Sequence, residues 1–274
     1  MNHCFMRFPG GKVKALTLSY DDNVKEDVRL VQIMKKYGLK GTFNINSIWL
    51  MPHENVQSRR RMDLEQTLAL HASSGMEVAC HGLNHVSLDQ LSAQECLREV
   101  YDDRVNLEKI FGRIVRGMAY PNGTFSDSAV DVLKLCGIAY CRTIVSTERF
   151  NIPSDWLRLP ATCHHDNPRL MELAQRFVEN RQNRQPLLFY LWGHSYEFDD
   201  NDNWHVIEKF SQYMGGREDI WYATNIEIFD YVNAYRQLVF SADGKTVYNP
   251  TNTCLFLETQ QGAFAVKPGQ TREI

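Results

Sequence analysis

The 274-residue chain has no apolar run long enough to cross a bilayer. Its first twenty residues, MNHCFMRFPGGKVKALTLSY, contain neither an apolar segment nor a small-residue cleavage site, so no secretory leader is expected. No C-x-x-C pair occurs. The seven cysteines, at 4, 80, 96, 136, 141, 163 and 254, are odd in number, which argues against a disulfide framework and against a cysteine zinc knuckle. There is no basic block and no repeated basic–aromatic stripe, and acids and bases are interspersed around a net charge of −3. Nucleic acid and membrane are therefore not expected partners. Reduced thiols in the cytoplasm are the simplest expectation.

What remains is a chain with 43% hydrophobic and 23% charged residues, enough for a large core. The length suits a single α/β barrel. Short β-rich runs over 15–20, 42–45, 76–80, 114–119, 138–142, 157–162 and 187–192 alternate with helical patterns over 25–37, 62–74, 92–111, 127–135, 169–180, 204–213 and 226–237. Ser92 and Glu95 form a capping box, and Gly38 and Gly75 stop helices. Between the last two helices lies a short apolar piece, 220–223. This pattern predicts α/β architecture: a distorted, incomplete (β/α) barrel of about seven parallel strands over residues 1–237. From 238 to 274 the texture changes to short β-like pieces separated by Asp243-Gly244, Asn249-Pro250 and Gln261-Gly262, a small β appendage packed on the barrel.

Reactive groups in such barrels sit where strands end. The first strand ends in Asp21-Asp22-Asn23, the third in Cys80-His81-Gly82-Leu83-Asn84-His85, the fourth in Tyr120-Pro121-Asn122-Gly123, and the run over 187–192 in Gly193-His194-Ser195. His81 and His85 are four apart, a spacing that on a helical turn brings two imidazoles to one ion. The alternative is two ordinary polar residues. Asp21 and Asp22 repel unless a cation sits beside them, although Asp-Asp-Asn is also good turn chemistry, and Asn23 tolerates a left-handed backbone. His194 suits proton donation, yet a lone histidine after an apolar strand is more often a satisfied polar residue. A dense polar cluster, Cys163-His164-His165-Asp166, follows the run over 157–162, and His164 or His165 is a candidate substrate contact or additional metal ligand. Glu197 is a weaker candidate. His3, His53, His71 and His205 are read as structural or surface residues.

These stretches together resemble the polysaccharide deacetylases, carbohydrate esterase family 4. The family motif T-F-D-D-G corresponds to Ser19-Tyr20-Asp21-Asp22-Asn23. H-[ST]-x-x-H corresponds to His81 through His85, and R-x-P-Y-G to the stretch from Arg116 to Gly123. The last, apolar motif ending in histidine corresponds to the stretch from Leu187 to His194. The resemblance covers about residues 13–235. It implies that Asp22, His81 and His85 bind a divalent metal, zinc first, with cobalt or nickel as alternatives. It implies Asp21 as general base and His194 as general acid. A backbone N–H near Asn122 is a candidate oxyanion donor, Arg116 and Tyr120 are candidate substrate contacts, and Trp156, in a possible Asp155-Trp156 motif, is a candidate wall of the acyl pocket. The implied reaction is deacetylation of an N-acetylated amino sugar or oligosaccharide. Hydrolysis of another C–N amide, such as a cyclic ureide or formamide, and a non-catalytic carbohydrate-binding barrel are the alternatives. The partner is thus an acetylated sugar or a small amide. The chain departs from the family at Asn23, at Gly82, at Ser195 and in the distance of Arg116 from the Pro121 turn.

Overall fold

The computed structural model describes residues 4–51, 60–181 and 184–274; His3 and His53 lie outside them. In chain order the elements begin with β1 (Phe5–Arg7), β2 (Lys14–Asp21), α1 (Asp27–Lys36), β3 (Gly41–Ile45), α2 (Leu64–His71), β4 (Glu77–Cys80), α3 (Ala93–Phe111) and β5 (Gly117–Ala119). They continue with α4 (Asp127–Leu135), β6 (Tyr140–Ser146), β7 (Leu159–Ala161), β8 (Cys163–His164), α5 (Leu170–Glu179), β9 (Leu187–Gly193), α6 (Tyr196–Asp200), α7 (His205–Met214), β10 (Ile220–Tyr222) and α8 (Asn225–Arg236). The last strands are β11 (Val239–Phe240), β12 (Thr246–Tyr248), β13 (Leu255–Thr259), β14 (Gly262–Val266) and β15 (Thr271–Glu273).

The central sheet runs β7-β6-β5-β4-β3-β2-β9-β8, parallel throughout, with β10 beside the first half of β2. Its two ends are one bent stretch of chain. β7 pairs with β6 and, two residues later, β8 pairs with β9. Pro160 has no N–H to give a ladder, which suits the bend. Counting that stretch once leaves seven parallel strands and the short β10, the predicted distorted barrel.

Period-2 alternation sorts the side chains. On β2, Leu16, Leu18 and Tyr20 face α1, α5 and α7 in one apolar cluster. Thr17, Ser19 and Asp21 alternate with them and meet Asn225 and Asn44 inside the barrel. On β9, Phe189 and Leu191 pack outward, whereas Leu188, Tyr190 and Trp192 belong to a second cluster shared with α8. A third cluster packs Val78, Cys80, Met118 and Tyr120 against α3 and α4.

Local sequence explains most shifts from expectation. Asp63 and Gln66 form a capping box that starts α2 at Leu64; such caps contribute about 1 kcal/mol. The expected strand over 157–162 begins late because the Asp155 carboxylate accepts from the N–H groups of Leu157 and Arg158, curling Trp156–Arg158 into a 3-10 turn. The 196–200 helix has no counterpart among the helices expected from periodicity. At the chain's end, β13 pairs with β14 and, on its other side, with β1, so the N-terminal strand completes a three-stranded antiparallel sheet. Val247, Leu255, Leu257 and Val266 share the second cluster with Phe8, Leu188 and α8. Among the described residues no helix is long and apolar enough to cross a membrane.

Candidate metal and acid–base site

At the C-terminal rim the chain turns sharply. Asp22 and Asn23 both take positive φ, 82° and 53°, and the Asp22 N–H donates to the Asn44 carbonyl at 3.1 Å. Asn23 is anchored by its side-chain amide, which donates to Thr67 Oγ1 at 2.9 Å. The loop after β4 also reverses, with Gly82 at φ 73° and His85 at 59°. The expected helical turn over 81–85 is absent. The tight loop itself brings the two rings together, with centroids 4.8 Å apart.

Gly82, a departure from the family motif, has a steric cause. A Cβ there would lie 3.0 Å from Pro121 Cγ, on a backbone that L side chains rarely adopt. Other groups hold the loop. Asn46 donates to the carbonyls of His81 and Gly82. Asp103 accepts from the N–H groups of His81, at 3.0 Å, and Ser47, at 2.7 Å. Desolvation raises Asp103 to about 7 despite those bonds.

Asp22, His81 and His85 present ligand atoms within 4.8 Å of one another. His81 Nδ1 contacts the Ala119 carbonyl at 2.9 Å, which assigns the proton to Nδ1 and leaves the Nε2 lone pair facing the acids. Burial lowers the His81 pKa against the pull of Asp21 and Asp22, favouring the neutral, ligating form. His85 Nε2 is 3.6 Å from Asp22 Oδ1. Arg61 steadies Asp22 from outside, donating to its carbonyl at 3.0 Å and to Oδ1 at 3.2 Å.

Asp21 lies deeper. It accepts from Arg142 Nη2, and from Asn44 Nδ2 at 2.8 Å. Burial alone would raise its pKa, but the Arg142 guanidinium, with His81 and His194, brings it down to about 2. Its Oδ2 is 3.9 Å from His81 Nε2 and 3.8 Å from His194 Nε2. His194 Nδ1 contacts Glu197 Oε1 at 3.2 Å. Burial works against the imidazolium, yet Glu197, Asp21 and Asp22 together raise the His194 pKa, which suits a proton donor. Glu197 faces three imidazoles, His164, His165 and His194, which outweigh its desolvation and hold it far below the usual carboxylate range.

Asp21, Asp22, His81, His85, His164 and His194 thus converge on one rim. Other sequence candidates do not. Arg116 precedes β5, at the opposite end of the barrel from Asp21, and pairs with the exposed Asp230 at 2.6 Å. It is not a substrate contact of this rim. Tyr120 follows Met118 outward by period 2, its hydroxyl donating to the Leu157 carbonyl at 2.8 Å; it is a core residue. Trp156 packs edge-on against Phe229 of α8, ring centroids 5.3 Å apart, within the second cluster, and does not wall this site. Asn122 is exposed, φ 57°, and its side-chain amide donates to Ser87 Oγ at 3.0 Å. Its turn abuts the His81–His85 loop through Pro121. Of the two readings given for His71 the structural one holds: it is buried against Phe43.

Arg142 was not among the candidates, although the expected strand over 138–142 ended on it. A strand end carrying a cation is as informative as one carrying a histidine. Trp192, whose ring lies 4.3 Å from the Arg142 guanidinium, carried no signal of its own.

Comparison with known proteins agrees with the motif resemblance. Residues 9–141 match the family model for polysaccharide deacetylase. YxkH of Bacillus subtilis (strain 168), provisionally named a polysaccharide deacetylase, is 21% identical over 125 residues, covering 45% of this chain and 42% of that protein. The matched stretch is therefore less than half of that curated relative. Among solved structures, a provisionally named polysaccharide deacetylase from Mycobacterium smegmatis has a TM-score of 0.59 at 14% identity, covering 84% of this chain and 93% of that one. A family 4 carbohydrate esterase from Streptomyces lividans, in complex with acetate, gives 0.50 at 14% identity, over 75% and 90%. At these identities the likeness is one of fold. The family match takes in Asp21, Asp22, His81 and His85 and ends before Arg142, His164, His194 and Glu197.

Proposed function

From the polysaccharide deacetylase match of residues 9–141, we propose that this chain is a divalent-metal-dependent deacetylase that hydrolyses the N-acetyl group of an acetylated amino sugar or short oligosaccharide. One observation carries the reading. Asp22, His81 and His85 surround one point, with Asp21 and His194 on its flank.

Two imidazoles and one carboxylate fit a zinc-class ion and leave room for water and substrate, and the tautomer of His81 is the one a ligand needs. Asp22, His81 and His85 would hold zinc, or cobalt or nickel in its place. The ion would supply polarisation of the acyl oxygen and a more acidic water. Asp21, oriented by Asn44 and Arg142, accepts the proton of the attacking water. His194, backed by Glu197, delivers a proton to the departing amine. Tyr196, with its ring centroid 5.2 Å from that of His194, offers an aromatic face beside the acid for a sugar ring. The division into a barrel over 1–237 and an extension over 238–274, and a cytoplasmic location, belong to the same proposal; the seven free cysteines support a reducing compartment.

The test is acetate release from chitooligosaccharides in the zinc-loaded full chain. Asp21→Asn is expected to keep zinc and lose about 10²–10⁴-fold in turnover. Unchanged turnover rejects the base assignment. Zinc retained in full by His81→Gln rejects the metal assignment.

A further inference from the structure

Beyond residue 141 the rim carries a second set of ligand-type side chains. His164 Nε2 is 3.3 Å and His165 Nε2 3.0 Å from Glu197 Oε2, and all three atoms lie within 4.8 Å of one another. Such separations are those of neighbouring donors around one ion. Atoms bonded to zinc in a tetrahedron at about 2.0–2.2 Å stand about 3.3–3.6 Å apart, so only a slight opening of the His165–Glu197 pair admits the ion.

Hydrogen bonding accounts poorly for the same contacts. Neither imidazole is aligned to donate to Glu197 Oε2, and that oxygen, although buried, has no hydrogen-bond partner among the described residues. In a hydrogen-bonded set each N–H points at its acceptor. In a ligand set the lone pairs converge between the atoms, so short separations with poor donor alignment are expected.

The surroundings prepare His164 for ligation and hold His165 in place. His164 Nδ1 meets Asp166 Oδ1 at 2.6 Å, which assigns the proton to Nδ1 and frees Nε2 as a lone pair. Carboxylate support of this kind is what metal-ligating histidines use. His165 is sandwiched between Phe198 and Tyr20, ring centroids 4.1 and 5.8 Å away. Gly193 makes room for it, since a Cβ there would come 2.1 Å from His165 Nδ1.

We propose that His164, His165 and Glu197 form a second divalent-cation site, taking a zinc-class ion on two imidazoles and one carboxylate, separate from the Asp22–His81–His85 set. An ion there ties the residues after β7 to the first turn of α6. It also fixes the carboxylate whose other oxygen, Oε1, faces His194.

Metal content of the full chain tests this. The chain is stripped with chelator, dialysed against zinc and counted by mass spectrometry, with cobalt absorption as an independent readout. About two zinc ions are expected in the unaltered chain and about one in each of His164→Gln, Glu197→Gln and His81→Gln. Close to none is expected in the His81→Gln/His164→Gln double variant. Circular dichroism checks that each variant is folded. Because His164 and Glu197 are both tested, and the unaltered chain has its own two-step cobalt titration, one misfolded variant does not decide the result. A single ion lost with His81→Gln and kept in full by both His164→Gln and Glu197→Gln overturns this proposal and leaves the first site standing. Zinc lost with His164→Gln but kept with His81→Gln supports it while overturning the metal assignment made for Asp22, His81 and His85.

Discussion

The two ends of the barrel both enclose polar groups, and they treat them in opposite ways. At the end where strands begin, Glu77 accepts from Thr42 Oγ1 at 2.8 Å, from the Tyr140 hydroxyl at 2.7 Å and from the Ile226 N–H at 2.9 Å. Asn225 joins Thr17 and Tyr190 at 2.8 and 2.7 Å. The first turn of α8 thus plugs the barrel with matched donors and acceptors. At the other end, the carboxylates of Asp21 and Asp22 stand 3.6–3.9 Å from the Nε2 atoms of His81, His85 and His194. These are gaps too wide for hydrogen bonds. Strand beginnings carry stability in this architecture and strand ends carry chemistry. Here the difference can be read from whether the polar groups have spent their bonds on each other.

Substitutions at the two ends should therefore separate activity from stability. The largest effect is expected for His194→Gln. The proposed deacetylation should fall by about 10²–10⁴-fold, while the urea midpoint stays close to that of the unaltered chain. A large loss of stability with it would mean that the rim, too, is structural. Next comes Glu77→Ala, which strands a hydroxyl, a phenol and an N–H in the barrel's floor. A loss of about 3 kcal/mol in urea unfolding is expected, with kcat/KM nearly unchanged. Equal loss of activity would erase the contrast.

Acidity offers a subtler probe. Desolvation raises Glu77 to about 7, against an ordinary value near 4.5, despite the bonds it accepts. The folded chain then keeps a proton that the unfolded chain has released. Stability from this group is complete below about 4.5 and declines as pH rises towards 7. Thermal melting at pH 8 should lie below that at pH 5, and Glu77→Gln should flatten the difference. An identical slope in the variant would assign the dependence elsewhere. The smallest effect is expected for Arg116→Ala. Its partner is exposed, so stability should change by no more than about 0.5 kcal/mol, with deacetylation rates preserved. A substantial rise in KM would return Arg116 to the substrate site.

The residues of the rim were unequally legible. Asp21, Asp22, His81, His85 and His194 stand at or just past the ends of apolar runs, and strand ends are where a barrel keeps its reactive groups. Where a reactive side chain lies along the chain is itself a sequence property. Tyr120 and Trp156 stand beside motif residues in the sequence and yet lie outside the site. Adjacency in sequence does not say which side of a strand a ring occupies. Tyr120 falls on the outward parity with Met118, and Trp156 is carried into a capped turn under α8. Arg142 is the converse case. The cation that pairs with Asp21 comes from a strand 121 residues further along the chain, and only the closing of the sheet brings them together.

The sequence by itself determined the alternation of strands and helices, the reactive residues at strand ends and the left-handed turn that Asn23 tolerates. These are local consequences of hydrophobic period, β-propensity and backbone sterics. Tertiary structure decided which cation answers Asp21 and how His164 and His165 come to face Glu197. Each of those pairings spans different strands or loops, and its geometry comes from the register and curvature of the sheet, which no local propensity encodes.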